Sequence, residues 1–206
     1  MSSETTMFLE SARSYLSLLQ EGFSEEILLK TERLAIDLKK AWIERRQVFI
    51  CGNGGSAANA LHMANDFHYG IGACGEGIKL PGLRVEALPA NTGILTCLAN
   101  DTGYENVYAH QLEVKANHGD VLIVLSGSGN SANVVNALKT AQKLGLYSYA
   151  IVAFGGGECR QLANEAIHFS IDDMQIAEDT QLIIGHLCMQ WLSINKPHQL
   201  QEKKNA

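Results

Sequence analysis

The chain has 206 residues, of which 46% are hydrophobic and 18% are charged, and its formal net charge is −6. This composition fits one well-packed globular domain, and the mild acidity provides no general attraction to nucleic acid or to an anionic membrane. The five cysteines are scattered without a CxxC pair, the first residues lack signal-peptide features, and no apolar run approaches the roughly 18 residues of a membrane span. We therefore expect a cytoplasmic protein that binds neither nucleic acid nor membrane.

Helical periodicity fills the beginning of the chain. Apolar residues recur at helical spacing from Phe8 to Leu19, and again from Ile27 to Trp42. Two amphipathic helices need an apolar surface to cover. We therefore predict an N-terminal helical extension over residues 1–46 that packs on the following domain or on another subunit.

The pattern then changes to short apolar runs, each followed by a turn signal and a helical segment. Five runs are predicted as strands: residues 47–51, 83–88, 121–125, 148–152 and 166–171. Strands that alternate with helices imply right-handed βαβ units. We therefore predict an α/β fold with a largely parallel sheet and helices on both faces.

The remaining segments complete the predicted domain. The glycine-rich residues 70–82 are predicted to form a loop, which is a candidate cover for a site. A last helix is predicted from about Gln175 to Ile194. The α/β domain would then occupy residues 47–196, followed by a polar tail over residues 197–206.

The first predicted strand ends in a loop that suits an anion. Asn53, Gly54, Gly55 and Ser56 follow the strand and lead into a helix. Consecutive glycines let backbone amides converge, and a helix N-terminus contributes about half a positive charge. Neither the GxGxxG spacing of dinucleotide-binding loops nor the GK[ST] of Walker loops is present. Taken alone, the loop fits a tight turn with a serine cap equally well.

A second loop of the same kind follows the third predicted strand. It contains Ser126, Gly127, Ser128 and Ser131. Hydroxyl and amide donors without lysine or arginine can hold a phosphate monoester by hydrogen bonds and helix dipoles. Because the carboxyl ends of parallel strands share one edge of the sheet, the two loops predict a single phosphate site there.

Two segments together resemble the SIS (sugar isomerase) domain family: Cys-Gly-Asn-Gly-Gly-Ser at residues 51–56 and Leu-Ser-Gly-Ser-Gly-Asn-Ser at residues 125–131. Within this family the chain resembles the phosphoheptose isomerases up to about residue 194, with further support in residues 99–106 and 172–179. The resemblance implies a five-stranded parallel sheet flanked by helices. It also implies a homotetramer whose sites lie between subunits.

The same resemblance implies roles for individual residues. The loop serines fall on the family's sugar-phosphate positions: Ser56, Ser126, Ser128 and Ser131. Asp101 and Gln175 match positions that contact sugar hydroxyls, although a turn former and a polar residue at a helix start would look the same.

A histidine and a carboxylate follow the first loop at a suggestive spacing. His62 and Asp66 are four residues apart, so a helix presents both on one face. Such a pair is half of a zinc site, although His/Asp pairs more often form simple surface hydrogen bonds. The resemblance adds Glu178 and His186 and implies a zinc ion held by all four residues. It further implies that Asp66 and His186 transfer protons.

The sequence departs from the family pattern at two of these positions. Asp66 stands where the family usually has glutamate, and Glu178 where it often has glutamine. A competing register would put Gln181 and Met189 at the metal positions, but an amide with a thioether makes a poor zinc site. Since eight helical residues span about 12 Å, Glu178 and His186 would both have to reach toward a common ion.

These features predict a ketose–aldose isomerase of a sugar phosphate. The resemblance specifies sedoheptulose 7-phosphate as substrate and glycero-manno-heptose 7-phosphate as product, which would feed heptose synthesis for surface polysaccharide. Two alternatives stay open: a non-catalytic tetrameric regulator that binds sugar phosphate and the replication initiator, and an isomerase of another sugar phosphate. No helix-turn-helix segment accompanies the domain, which argues against a transcription regulator.

Overall fold

The computed structural model describes residues 3–197, so the predicted tail beyond Pro197 lies outside the described residues. The described residues form nine α-helices: α1 Ser3–Glu21, α2 Glu25–Glu44, α3 Gly55–Asn65, α4 Ile71–Ala73, α5 Thr92–Thr102, α6 Ala109–Lys115, α7 Ala132–Leu144, α8 Gly157–Leu162 and α9 Met174–Ile194. They also form five strands: β1 Gln47–Cys51, β2 Arg84–Ala87, β3 Val121–Ser126, β4 Tyr147–Val152 and β5 Glu165–His168. Among these helices, none is long and apolar enough to cross a membrane.

The five strands form one parallel sheet in the order β2-β1-β3-β4-β5. β3 lies at the centre, and all of its residues are buried. Its unbroken apolar run is the pattern expected of a strand that is covered on both faces. The predicted α/β fold and the five strands are therefore confirmed, with strand boundaries that differ by at most a few residues.

Successive strand residues point to opposite faces of the sheet, and each face has its own core. Ile50 and Ile123 belong to the core beneath α2, α3 and α9. Phe49 and Leu122 belong to the core beneath α6, α7 and α8. The predicted helices on both faces are therefore present.

The two N-terminal helices differ in how they pack. α2 buries Leu34, Leu38 and Trp42 in the core of the α/β domain. α1 lies mostly outside that core: Phe8 is 71% exposed, and the Tyr15 hydroxyl donates a 2.6 Å hydrogen bond to Asp179 of α9. α2 is thus an integral layer of the domain, and the division at residue 46 stays a prediction.

The loop predicted over residues 70–82 contains α4 and then runs along the amino edge of the sheet. The Trp42 indole donates to the Pro81 carbonyl at 2.9 Å, and the Lys196 ammonium donates to the Ile78 carbonyl at 3.3 Å. This course is required because β2 is parallel to β1, so the chain must return to the edge where β1 begins. Within one chain, residues 70–82 therefore do not cover the two glycine–serine loops, which lie at the carboxyl edge of the sheet.

α3 and α9 cross at a very short distance. A Cβ added at Gly185 would lie 2.7 Å from Cγ of Met63 on α3. Farther along, a Cβ at Gly70 would lie 2.8 Å from Cε of Met189. Glycine at both points lets the helix axes approach and leaves no room for a larger side chain.

Replacing Gly185 by valine should lower the free energy of unfolding by about 1–3 kcal/mol, because the added carbons force α3 and α9 apart. Urea denaturation measures the change. Gly155→Ala is the matched control, since nothing lies within 4 Å of its Cβ position, and it should change stability by less than about 0.5 kcal/mol. A Gly185→Val protein as stable as the parent would contradict the tight crossing.

Candidate functional site

The two glycine–serine loops lie side by side at the carboxyl edge of β1 and β3, as predicted. They enclose a hollow of about 320 Å³ lined by Asn53, Gly54, Gly55, Ser56, Leu125, Ser126, Gly127, Ser128, Ser131, Met174 and Glu178. Larger hollows exist elsewhere on the surface, one of them with a volume of about 660 Å³. This one differs because two glycine-rich loops and two helix N-termini converge on it, so we call it the phosphate cradle.

The first loop presents unpaired backbone donors to the cradle. Gly54 adopts φ 54° and ψ −123°, a conformation that favours glycine, and α3 begins immediately after it. The first hydrogen bonds of the helix come from the Ala57 and Ala58 amides. The amides of Gly55 and Ser56 precede them and have no helical acceptor, and both residues line the cradle, so these N–H groups are available to an anion there.

The second loop is held in shape by its own hydroxyls. Ser126 Oγ accepts a hydrogen bond from the Gly129 amide at 3.0 Å, and Ser128 Oγ accepts from the Asn130 amide at 3.4 Å. Each hydroxyl keeps its proton for another acceptor. Ser131 is the N-cap of α7, yet its side chain makes no capping bond. All three serines can therefore donate to an anion.

An amide pair fixes the first loop against α7. Asn53 and Asn133 each donate to the other's Oδ1 at 2.8 Å, and Asn133 is only 2% exposed. The Tyr104 hydroxyl donates to Asn53 Oδ1 at 3.0 Å, and the Tyr108 hydroxyl donates to the Gly52 carbonyl. None of these three partners of the loop was predicted from the sequence. Asn133 could have been found as a polar residue on the apolar face of an amphipathic helix.

His62, Asp66 and His186 form a cluster where the end of α3 meets the middle of α9. The two Nε2 atoms are 3.0 Å apart, and Asp66 Oδ2 lies 3.4 Å from His62 Nε2 and 3.6 Å from His186 Nε2. The imidazole side chains are 48% and 45% exposed, whereas the carboxylate is 17% exposed. Without an ion, one imidazole can donate to the other.

The helix crossing produces this cluster. Asn59 Nδ2 on α3 donates to the Glu178 carbonyl at 2.8 Å and to Gln181 Oε1 at 3.2 Å on α9. About one turn farther on, the same helix pair brings His62 opposite His186. Asp66 begins a π-helical turn, Asp66–Gly70, which continues α3 and is a feature often found at functional sites.

The cluster fits a divalent metal. Nitrogen and oxygen ligands about 2.0–2.1 Å from a tetrahedral zinc ion lie roughly 3.3 Å from one another. The three observed separations of 3.0, 3.4 and 3.6 Å are close to that value. Two imidazoles and one carboxylate also match the three-ligand sets of catalytic zinc sites. The described residues thus include a candidate metal site of His62, Asp66 and His186.

Glu178, the fourth predicted ligand, is not part of this cluster. Its carboxylate packs against Gly55 at the first turn of α3, where an added Cβ would overlap it. Of the two registers predicted for the metal positions on α9, the structure favours the one with His186, because the His186 side chain lies in the cluster. Gln181 bonds to Asn59 instead, and Met189 packs on Gly70.

Two predicted sugar-binding residues lie outside the cradle of the single chain. Asp101, on α5, accepts hydrogen bonds from the Asn100 side chain at 2.7 Å and from the Cys97 thiol at 3.6 Å. Gln175 is exposed on the first turn of α9. Neither lines the hollow. Their assignment to the sugar stays a prediction.

Comparisons with known proteins agree with this fold. The SIS domain family matches residues 8–153. Phosphoheptose isomerase from Akkermansia muciniphila is 36% identical over 155 residues, which is 75% of this chain and 78% of that protein. The chain belongs to the SIS domain family, among its phosphoheptose isomerases.

Other members of the family cover even more of the chain. Phosphoheptose isomerase from Burkholderia pseudomallei is 33% identical over 185 residues, covering 89% of this chain and 91% of that protein. The solved structure of phosphoheptose isomerase from Neisseria gonorrhoeae superimposes with a TM-score of 0.81 at 25% identity, covering 92% of this chain and 98% of that one. The family resemblance inferred from the two loops is thus confirmed.

Asn133→Ala should lower the free energy of unfolding by about 1–3 kcal/mol, because the buried Asn133 side chain is lost and the partly buried Asn53 amide loses its partner. Urea denaturation measures this. Asn117→Ala is a suitable control, since the Asn117 side chain makes no hydrogen bond to any residue that the structure describes, and its effect should stay below about 0.5 kcal/mol. Equal stabilities for the two variants would contradict the role given to the amide pair.

Proposed function

We propose that the protein is an aldose–ketose isomerase that converts sedoheptulose 7-phosphate to glycero-manno-heptose 7-phosphate. One observation carries the proposal: α3 begins at the phosphate cradle and leads, about two turns farther on, to the cluster of His62, Asp66 and His186. The family membership supports the same activity. The heptose phosphate product is a precursor suited to the synthesis of surface polysaccharide.

The reaction moves a proton between C1 and C2 of the sugar through an enediol. It needs a base at the carbon, an acid at the carbonyl oxygen and a means to stabilise the negative charge that develops. We assign the proton transfers to Asp66 and His186. The loop serines Ser56, Ser126, Ser128 and Ser131, with the Asn53–Gly55 backbone, hold the phosphate, and Asp101 and Gln175 are proposed to contact the sugar hydroxyls.

We propose zinc as the cofactor, held by His62, Asp66, His186 and, as fourth ligand, Glu178. A bound zinc ion supplies a Lewis acid near the carbonyl oxygen. His186 contributes its Nε2 atom to the cluster, and Asp66 contributes its Oδ2 atom. Each therefore retains a second atom, Nδ1 or Oδ1, with which it can exchange a proton.

The distance between the phosphate cradle and the cluster of His62, Asp66 and His186 favours a long sugar as substrate. Ser56 and His62 are six residues apart on α3, which corresponds to about 9 Å along the helix axis. A substrate must therefore carry its carbonyl several carbons away from its phosphate. A seven-carbon ketose phosphate in an extended conformation meets this requirement better than a short sugar phosphate does.

His186→Ala should lower kcat/KM for sedoheptulose 7-phosphate by at least roughly 10²-fold, because general acid–base groups contribute about 10²–10⁴-fold. Phosphate binding by the metal-free protein should be retained. A coupled turnover assay, run with and without added zinc, measures the rate. His110→Ala is the control, because that exposed histidine pairs only with Glu113 of its own helix among the described residues. A fully active His186→Ala protein would overturn the assignment.

The same assay separates the alternatives. Turnover of another sugar phosphate in preference to sedoheptulose 7-phosphate would indicate a different isomerase. A protein that binds sugar phosphate but turns over none would favour the regulator. The presence of both proton-transfer residues and of the candidate metal site supports the enzyme.

We also propose that the protein is a cytoplasmic homotetramer with sites between subunits. α1 exposes apolar side chains along its length, among them Phe8 and Leu16, and α5 has no buried residue. Leu61 and Leu187, next to the clustered histidines, are exposed as well. A second subunit would cover this apolar surface. The five unpaired cysteines support a reducing compartment.

Changing both Phe8 and Leu16 to glutamate should dissociate the tetramer, because charges would replace apolar contacts between subunits. Size-exclusion chromatography with light scattering reports the mass. Glu10→Arg is the control, since Glu10 lies about half a turn from Phe8 on α1. It should leave the mass unchanged. A double variant with the mass of the parent would show that this face of α1 does not hold subunits together.

A further inference from the structure

A carboxylate already lies in the phosphate cradle. The Glu178 side chain lines the hollow together with the loop serines and packs against Gly55. Gly55 is the first residue of α3, where the helix dipole and the unpaired amides attract a negative charge. The carboxylate thus lies where this site is best suited to hold an anion.

Nothing else in the described structure accounts for this position. The Glu178 carboxylate makes no hydrogen bond or ion pair with any described residue; the Asn59 side chain bonds to the backbone carbonyl of Glu178, not to its carboxylate. No lysine, arginine or histidine lines the hollow. The carboxylate therefore lies beside the N-terminus of α3 without a hydrogen-bond partner, in the helix field that a phosphate would also use.

A carboxylate and a phosphate cannot share this cradle at low cost. Their like charges repel, and the repulsion is strong at short distance in a partly desolvated site. The lining contains no cation to offset it. Phosphate must therefore displace the carboxylate or bind weakly beside it.

The metal cluster offers the carboxylate another partner. His62 and His186 bind a metal as neutral imidazoles, and Asp66 contributes one negative charge, so a divalent ion in the cluster keeps a net charge of about +1. Glu178 lies on α9, two turns before His186. A second carboxylate would neutralise the ion, which a glutamine at this position could not do.

We propose that Glu178 controls phosphate affinity: its carboxylate occupies the cradle until a metal ion at His62, Asp66 and His186 draws it away. The inference rests on the proposed function, since it takes the cradle to be the phosphate site. Metal binding then strengthens phosphate binding. Because linkage is reciprocal, bound phosphate strengthens metal binding by the same factor.

Calorimetric titration with D-glucitol 6-phosphate tests the coupling, because this sugar-alcohol phosphate has no carbonyl and cannot be isomerised. The titration compares metal-free protein with protein carrying one equivalent of zinc. For the parent protein, zinc should tighten probe binding by about tenfold or more. Metal-free Glu178→Gln should bind the probe about tenfold more tightly than the metal-free parent, and zinc should then add less than about threefold.

Asp179→Asn is the matched control, because it removes one negative charge from the neighbouring position on α9, outside the cradle. It should keep the tenfold effect of zinc. The metal-free comparison needs no metal binding, so it remains decisive even if Glu178→Gln binds zinc poorly. Thermal denaturation verifies that each variant is folded, and Glu178→Ala replaces Glu178→Gln if the latter is not.

Two results would overturn the inference: equal probe affinity of the metal-free parent and Glu178→Gln, or a zinc effect of the same size in both. Failure of the proposed function looks different. If sedoheptulose 7-phosphate is not converted but the zinc effect depends on Glu178, the isomerase proposal fails and the coupling stands. If conversion occurs and the metal-free proteins bind the probe equally, the coupling fails alone.

Discussion

The close crossing of α3 and α9 is the constraint on which the site depends. Gly185 against Met63 sets the separation, and Asn59 fixes the register through the Glu178 carbonyl and Gln181. This contact places two histidines 124 residues apart in the chain within 3.0 Å of each other. Side chains interlock where two helices pack, so the helices cannot slide continuously past each other. The geometry of the cluster therefore follows from the shape of the interface.

The cradle has the features with which a parallel α/β sheet can bind an anion without using a cation. The carboxyl ends of two neighbouring strands bring two helix N-termini and their unpaired amides to one hollow. The charge that favours the anion comes from aligned peptide dipoles, which are fixed and need no long, flexible side chain. A site of this kind is sensitive to any added charge, and this sensitivity is the basis of the role proposed for Glu178.

The single chain leaves parts of the site open. The imidazoles of the cluster are nearly half exposed, and neither Asp101 nor Gln175 reaches the cradle within one chain. Apolar side chains on α1 and beside the histidines are exposed as well. Such surfaces gain stability when another protein surface excludes water from them. The proposed tetramer would complete the substrate site while it covers these side chains.

The sequence by itself determined the fold class and the phosphate-type loops. Local patterns carry this information: the apolar run of residues 121–125 requires a strand covered on both faces, and glycine and serine after a strand are a local turn signal. Tertiary structure alone decided the rest. The packing of α2 into the core, the amide pair of Asn53 with Asn133 and the location of Glu178 at Gly55 all depend on contacts between distant segments. Periodicity specifies which face of a helix is buried, but the partner of each side chain is set by how the helices pack in three dimensions.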